Sequence, residues 1–351
     1  MIAVVILNWN GADMLRRFLP SVVAHTAPLG EVIVADNGST DSSIDLLQTH
    51  FPDVRIVRWK ENLGFAEGYN EAFRRIESET PHRHDLYLLL NSDVRVTPDW
   101  LSPLRNYMDT HPDVAAAQPK LLAEWAHDTF EYAGAAGGFL DRDGYPFCRG
   151  RLFNVVEPDN GQYDSATSLF WATGAALLIR ADDWHAVGGL DGRFFAHNEE
   201  IDLCWRLRAR GRKIVCVPQS VVFHVGGGTL PKDNPRKTYL NFRNNLTMLH
   251  KNLPETEYRS VMFRRALLDA VALLKFALSG DFANARAVWR GVRDFRKCRH
   301  NFDADRRHNL AQTVLLHIPE RTDKSLLWAF FFRRQKTFSQ FLSSPSSSSS
   351  F

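Results

Sequence analysis

Three carboxylates, Glu199, Glu200 and Asp202, fall within four positions of the stretch FFAHNEEIDLCWRLRARG, residues 194–211. On a helix running from about Glu199 to Arg210 they take the positive N-terminal end. Arg206, Arg208 and Arg210 take the other end, and Gly211 serves as the stop. Asp202 has Arg206 at i+4, a structural partner. Glu200 meets only Leu203 and Cys204 at helical spacing, and Glu199 likewise lacks a local cation. A carboxylate without a cation, held against Phe194 and Phe195, is a candidate general base.

Other polar groups stand at the ends of apolar runs. LYLLLNSD closes in Asn91, Ser92 and Asp93, which either turn the chain or place Asp93 as a ligand for a divalent cation. VIVADNGSTDSS puts Asp36 and Asn37 at a strand tip, where an Asx-turn with Ser39 or Thr40 capping the next helix is one role. Recognition of a nucleoside by the Asp36 carboxylate is the other. NLGFAEGYNEA supplies Gly64 and Gly68 for close backbone approach and the amides of Asn62 and Asn70. A helix starting near Phe65 would offer N–H groups to an anion. In FHVGGGT a lone His224 ends a strand and runs into a glycine triplet suited to a bound ligand. Neither GxGxxG nor GxxxxGK[ST] occurs, which counts against a dinucleotide fold and a P-loop.

The elements that must hold these groups alternate in period. IAVVILNW, EVIVAD, VRIVRW and DLYLLLNSD read as buried strands. ADMLRRFLPSVVAH, STDSSIDLLQTHF and GFAEGYNEAFRRIES between them have helical spacing. Strand–helix repetition implies right-handed crossovers and a mostly parallel sheet covered on both faces, with ligands beyond the carboxyl ends of the strands. Asn8, Asn10, Asp36, Asn37, Asn91 and Asp93 all lie just there. Residues 95–230 are less regular. A helix is expected near 99–110, loop chemistry over 134–165, and a strand, small-residue turn and short helix in ATSLFWATGAALLIRADDWHAVGGLD. KIVCVPQSVVFHVGGGT reads as two short strands.

The 351-residue chain carries a net charge of +3 that hides a division. Residues 1–231 hold 21 Lys and Arg against 30 Asp and Glu, and residues 232–351 hold 22 against 10. Such asymmetry points to an anionic partner. No nucleic-acid recognition motif accompanies it, so the cytoplasmic face of a membrane is the expected one. VMFRRALLDAVALLKFALSG reads as a helix with a narrow polar stripe. NARAVWRGVRDFRKCRH mixes Val, Trp and Phe with seven basic residues, His300 included, as in a helix lying on a membrane or against a partner. SLLWAFFFRRQK repeats the combination. The closing SSPSSSSSF is low-complexity and expected to be disordered. Four scattered cysteines without a CxxC pair fit a reducing cytoplasm, and the N-terminus reads as a strand, not a signal peptide.

In order, VVILNWNG, VIVADNGSTDSS, NLGFAEGYNEA, LLLNSD, WATGAALLIR, VGGLDGRFFAHNEEIDLCWRLRARG and VVFHVGGGT resemble glycosyltransferase family 2, in its bacterial rhamnosyltransferase-like branch. They cover nearly all of residues 1–230, and TYLNFRNNLTMLHKN resembles the segment that commonly follows the catalytic domain there. The resemblance implies a GT-A fold: a Rossmann-like, mostly parallel sheet flanked by helices, with a C-terminal helical extension. It implies a catalytic domain over 1–231, with a nucleotide-sugar half to about 95 and an acceptor half over 96–231. A basic helical region over 232–342 and a tail over 343–351 would follow. It also implies a nucleotide-diphospho-sugar donor, Mg²⁺ or Mn²⁺, and an inverting mechanism. Asp36 would bind the nucleoside base, and Asn8, Asn10, Asn37, Asn62, Gly64, Gly68, Asn70 and Asn91 would belong to the donor site. Asp93 and His224 would hold the metal, Glu200 would be the base beside Glu199, and Trp171, Gly174, Ala175 and Glu199 would face the acceptor. Asn91 stands where the family's Asp-x-Asp begins with an acid, and Glu200 where Asp is commoner. The implied reaction moves a sugar, with dTDP-rhamnose as the expected donor, to a cell-envelope polysaccharide or a lipid-linked precursor. UDP- or GDP-hexoses, N-acetylhexosamines and galactofuranose are alternative donors, and a non-catalytic binding protein on a degenerate scaffold is the alternative class.

Overall fold

A computed structural model describes residues 1–226 and 234–343. The expected 231/232 boundary, two of the three glycines after Val225, and the Ser-rich tail from 344 onward lie outside the described residues.

The first ninety residues fold as their periodicity dictates. β1 (Ile2–Asn8), α1 (Ala12–Thr26), β2 (Gly30–Asn37), α2 (Ser43–His50), β3 (Arg55–Trp59), α3 (Gly64–Glu79) and β4 (Leu86–Asn91) alternate without exception. β3, β2, β1 and β4 lie side by side and parallel, and the register sets Asn8 opposite Asp36 and Leu7 opposite Asn91. The polar groups that end three strands thus come to one edge.

Beyond β4 the sheet becomes mixed. β5 (Val94–Val96), α4 (Leu101–Thr110), β6 (Val114–Ala123) and β7 (Ala126–Phe130) follow in sequence. Next are β8 (Gly138–Leu140), β9 (Pro146–Cys148), β10 (Arg151–Leu152) and β11 (Val155–Val156), which form a separate antiparallel sheet within the stretch expected to be loop. Its strands are two or three residues long, too short for a period-2 signal. β12 (Thr167–Ser168), β13 (Ala176–Arg180), α5 (Ala181–Val187), α6 (Glu199–Ala209) and β14 (Lys213–His224) complete this half. β13 enters antiparallel between β4 and β6, whereas β14 runs parallel to β6. KIVCVPQSVVFH is therefore one strand, not two. Its register slips between Val217 and Val221, where Pro218 cannot donate to the ladder.

Alternate residues of the central strands feed two cores. Ala3, Val5, Ile33, Ala35 and Leu89 pack with Ala66, Tyr69 and Phe73 of α3. Ile2, Val4, Ile6, Val34 and Leu88 pack with Leu15 and Leu19 of α1 and Leu101 and Leu104 of α4.

α7 (Pro235–Asn252), α8 (Glu255–Leu278), α9 (Phe282–Cys298), α10 (Asp303–Ala311), α11 (Leu326–Phe331) and α12 (Phe338–Ser343) follow. They are tied into the catalytic half. Ile318, Leu326, Phe330, Phe338 and Phe341 belong to the same core as α3, and Thr322 donates to the Leu140 carbonyl at 2.9 Å. The basic helix α9 buries Ala285, Val288, Gly291 and Phe295, and at Gly291 the backbone of α7 comes within 3.0 Å of where a Cβ would stand. That face thus packs inside the chain, while Phe282 and Trp289 stay exposed on the other. No helix among the described residues is long and apolar enough to cross a membrane.

Candidate active site

At the carboxyl edge the Asn8 amide donates to Asp36 Oδ1 at 3.2 Å and to Ser39 Oγ at 3.1 Å, and Ser39 N–H donates to Asp36 Oδ2 at 3.2 Å. Asp36 is only 3% exposed, its carboxylate closing the strand-end turn. The Asn10 side chain accepts from Thr40 N–H at 2.7 Å and so joins the two strand-end loops. Trp9, between Asn8 and Asn10 in the chain, is half exposed.

Several expected donor-site residues hydrogen-bond their own loops. Asn37 accepts from the Trp59 indole at 2.8 Å and Leu63 N–H at 2.9 Å, and donates to the Gly64 carbonyl at 3.0 Å. Asn62 accepts from Gly64 N–H at 2.8 Å, and Asn70 exchanges hydrogen bonds with the Leu190 backbone at 2.8 and 3.1 Å. At Gly68 a Cβ would collide with Leu7. These residues fix loops through buried polar groups. The start of α3 is not open to an anion either, because Phe65 and Ala66 N–H both point at the Phe195 carbonyl, at 2.8 and 3.3 Å. That expectation is corrected.

Asp93 follows β4 and pairs with the end of β14. His224 Nε2 lies 3.1 Å from Asp93 Oδ1 and 3.4 Å from the Asn91 amide nitrogen. Glu131, which the sequence reading missed, lies 3.3 Å from His224 Nδ1, and its other oxygen accepts from Ala133 and Gly134 N–H at 2.6 and 3.1 Å. Burial opposes charge on the imidazole, yet Glu131 and Asp93 on either side overcome it and push His224 up to about 10. Burial likewise opposes charge on Asp93, and His224 outweighs it and holds that carboxyl low. No spacing rule links residues 131 and 224; only β6, β7 and β14 bring them together.

These residues fit a divalent ion once His224, an imidazolium between Asp93 and Glu131, gives up its Nε2 proton. The 3.1 Å between Asp93 Oδ1 and His224 Nε2 is close to the ~3 Å separating adjacent corners of an Mg²⁺ octahedron with ~2.1 Å bonds. A carboxylate on the far imidazole nitrogen is the usual second-shell arrangement for a metal-bound histidine. The described residues contain no group of three or more His, Cys, Asp or Glu side chains arranged to hold a metal. A cation here would need oxygen ligands from a bound substrate.

Glu199 and Glu200 open α6, as the sequence implied, and Asp202 takes Arg206 at 2.9 Å. It also takes Lys251 and Asn252 of α7, each at 2.8 Å, partners invisible at local spacing. Glu199 Oε2 and Glu200 Oε2 are buried without a hydrogen-bond partner. Burial raises Glu200 from 4.5 to about 7. Burial and the neighbouring Glu200 charge raise Glu199 well above the carboxylate range. The pair titrates as a unit.

The loop leading into them is strained. Phe195, His197 and Asn198 have φ of 65°, 72° and 69°, a region costly for a phenylalanine. Asn244 of α7 holds it, its amide reaching the carbonyls of Phe194, Ala196 and His197 at 2.9, 2.8 and 2.8 Å. Gly64, at φ +81°, leaves room for the Phe195 ring, which a Cβ would meet at 2.5 Å.

The turn Thr173–Gly174–Ala175 joins the two clusters. Asn91 N–H donates to the Ala175 carbonyl at 3.0 Å. A Cβ on Gly174 would lie 3.0 Å from Phe65 Cζ and 3.9 Å from Glu200 Cβ. Trp171 is 3% exposed, its indole donating to the Phe139 carbonyl at 3.0 Å.

A fold with this sheet and a polar carboxyl edge defines a class. Residues 3–147 match Glycosyl transferase family 2 and residues 87–233 match Glycosyl transferase family group 2. Over these residues the chain belongs to glycosyltransferase family 2 and is a glycosyltransferase. Among curated proteins it is 26% identical over 234 residues to the N-acetylglucosaminyl-diphospho-decaprenol L-rhamnosyltransferase of Mycobacterium tuberculosis, covering 64% of this chain and 76% of that one. It is 24% identical over 225 residues to the rhamnosyltransferase WbbL of Escherichia coli, covering 64% and 83%. It is 29% identical over 216 residues to the O-antigen biosynthesis protein RfbC of Myxococcus xanthus, 60% of this chain but only 16% of that longer protein. Among solved structures, Staphylococcus aureus TarS 1–349 with UDP-GlcNAc superimposes with a TM-score of 0.54 at 13% identity, covering 88% of this chain and 89% of that one. GalNAc-T7 with UDP, GalNAc and Mn²⁺ gives 0.53 at 16%, covering 72% and 48%. These likenesses establish the fold.

Proposed function

We propose that the chain is an inverting, metal-dependent glycosyltransferase. It takes a sugar from a nucleotide-diphospho-sugar, with dTDP-rhamnose first in the order of trial, and moves it to a hydroxyl of a glycan or lipid-linked glycan of the cell envelope. The observation that carries this is Glu200 Oε2, buried without a hydrogen-bond partner on a side chain whose Cβ lies 3.9 Å from where a Gly174 Cβ would stand, in a turn bonded to Asn91, which touches the Asp93–His224 pair.

Each residue has a task. The Asp36 carboxylate, held by Asn8 and Ser39, receives the nucleoside. Asp93 and His224 hold the cation, which when bound would neutralise charge on the departing diphosphate. Inversion requires an acceptor hydroxyl to attack the anomeric carbon from the side opposite that diphosphate. Glu200 takes the hydroxyl proton as the new C–O bond forms. With its carboxyl raised to about 7 it is a far stronger base than an ordinary glutamate and still substantially ionised at neutral pH. The buried Glu199 beside it faces the acceptor. The rhamnosyl donor draws its support from the two rhamnosyltransferases above, and a divalent ion from the Asp93–His224 spacing. The basic C-terminal region is assigned to peripheral contact with the cytoplasmic face of a membrane.

Thermal-shift screening against dTDP-, UDP- and GDP-sugars with Mn²⁺, followed by turnover of each stabilising donor, tests this reading. One donor class should raise the melting temperature and be consumed. A panel with no stabilising nucleotide sugar would remove the proposal.

A further inference from the structure

α8 is built inside out. Its inward face buries Arg265 and Asp269, each about 2% exposed, and Arg265 also bonds Asn245 and the Asp143 carbonyl and lies over the Tyr145 ring. Its outward face carries Phe263, Leu267, Val271, Leu274 and Leu278, between 55% and 87% exposed. At 100° per residue these five fall within an arc of about 80°, a continuous stripe about 22 Å long. α11 extends it. Lys275 Nζ lies 5.6 Å from the centre of the Phe331 ring, and exposed Phe331 is followed by Phe332, stacked on Trp328 at 4.4 Å.

Around the C-terminal half of the stripe the exposed charges have one sign, whereas Glu257 and Asp323 lie beside its N-terminal half. Lys275, Arg333 and Arg334 are exposed, whereas neither 270–280 nor 324–351 contains an acidic residue. Asp269 is occupied by Arg265, and Asp281 caps α9 through Asn284 N–H. Two copies meeting through this half of the face would set like charges against each other. An anionic bilayer satisfies both features. Its acyl boundary takes up the aliphatic stripe, its interfacial zone suits Trp and Phe, and its headgroups attract the basic fringe.

We propose that the outward face of α8, continued by Trp328, Phe331 and Phe332, docks the protein flat on an anionic lipid surface. This rests on the membrane contact assigned above and replaces α9 by α8 as the contacting element. The test is co-sedimentation of the full chain with vesicles of phosphatidylglycerol or of phosphatidylcholine, at low and high salt. Wild type should bind the anionic vesicles preferentially, and less so at high salt. The triple variant Leu267→Glu, Val271→Glu, Leu274→Glu should lower that binding at least about tenfold. Arg286→Glu with Arg290→Glu, on α9, should lower it far less. Retained binding by the α8 variant with loss in the α9 variant would overturn the face while leaving membrane attachment standing. No binding of wild type at low salt would overturn both. A wild-type dimer in sedimentation velocity that the α8 variant disperses would make the stripe a self-interface and also overturn the proposal. Should the triple variant misfold by circular dichroism, an environment-sensitive dye on Leu278→Cys decides. Its emission should shift to the blue with anionic vesicles, while a dye on Asp13→Cys of α1 should not; equal behaviour of the two sites would refute the face.

Discussion

Replacing Glu200 by Gln should separate catalysis from stability. Burial raises the Glu200 carboxyl from 4.5 to about 7. Each pKa unit corresponds to about 1.4 kcal/mol, so the folded state gives up about 3 kcal/mol in ionising this group. Because the folded pKa lies above the unfolded one, the folded protein binds the extra proton between pH 4.5 and 7. That part of its stability is present below pH 4.5 and is lost as pH rises through about 7. Glutamine has no proton to lose. Relative to wild type, Glu200→Gln should therefore gain roughly 2 kcal/mol in unfolding free energy between pH 5 and pH 8, less what the coupled Glu199 takes up. Transfer should fall by about 10²–10⁴ as the base disappears, with donor affinity nearly unchanged. Urea titrations at both pH values, beside turnover and donor calorimetry, measure all three. A stability difference independent of pH would show that Glu200 is not the buried, desolvated carboxyl inferred here. Turnover close to wild type would remove it from the mechanism.

Wild-type kcat/KM should rise with pH through an apparent pKa near 7 set by the Glu199–Glu200 pair, and a flat profile from pH 5.5 to 8.5 would contradict that. Asp93→Asn should weaken metal-dependent donor binding, read by calorimetry with and without chelator; an unchanged titration would argue against a ligand role. Glu131→Gln should lower the affinity for Mn²⁺ about 10–100-fold, measured by titration of the ion in the presence of nucleoside diphosphate. Asn244→Ala removes the amide that reaches three carbonyls of the strained loop. It should depress kcat while leaving nucleoside diphosphate affinity within about twofold, because the strain stored before Glu199 relaxes.

The fold was legible where period and punctuation agreed. Long alternating strands and helices over residues 1–91 reappear nearly residue for residue, and α6 keeps its acidic start and its Gly211 stop at φ +83°. β8 to β11 were not legible, because strands of two or three residues carry no period. The single strand β14 was read as two because Pro218 interrupts it; parallel pairing with β6 on both sides of the slip holds it together.

Site residues divided by the distance their partners lie along the chain. Glu200 could be singled out because its missing cation is a local fact, and Asp202–Arg206 for the same reason. Glu131, Asn244 and Lys251 could not, since they act on residues 93, 47 to 50, and 49 to 60 positions away. Asn37, Asn62 and Asn70 also hold their own loops. Amides at strand ends look like ligand contacts, but loops have buried backbone groups of their own to satisfy, and these side chains satisfy them. The same limit applied to α8 and α9. Sequence showed two amphipathic helices, and only tertiary contacts decided which apolar face was covered.

The claim underlying all of this is that one cleft at the carboxyl edge gathers the cation pair, the nucleoside pocket and the free carboxylate. A crystal soaked with Mn²⁺ and the nucleoside diphosphate of the stabilising donor, with data collected at the manganese edge, tests it most directly. One anomalous peak should appear bound by Asp93 and His224, with diphosphate oxygens completing its shell, the nucleoside on Asp36 and Glu200 facing the open side. A peak elsewhere, or nucleotide bound away from this edge, would contradict the account.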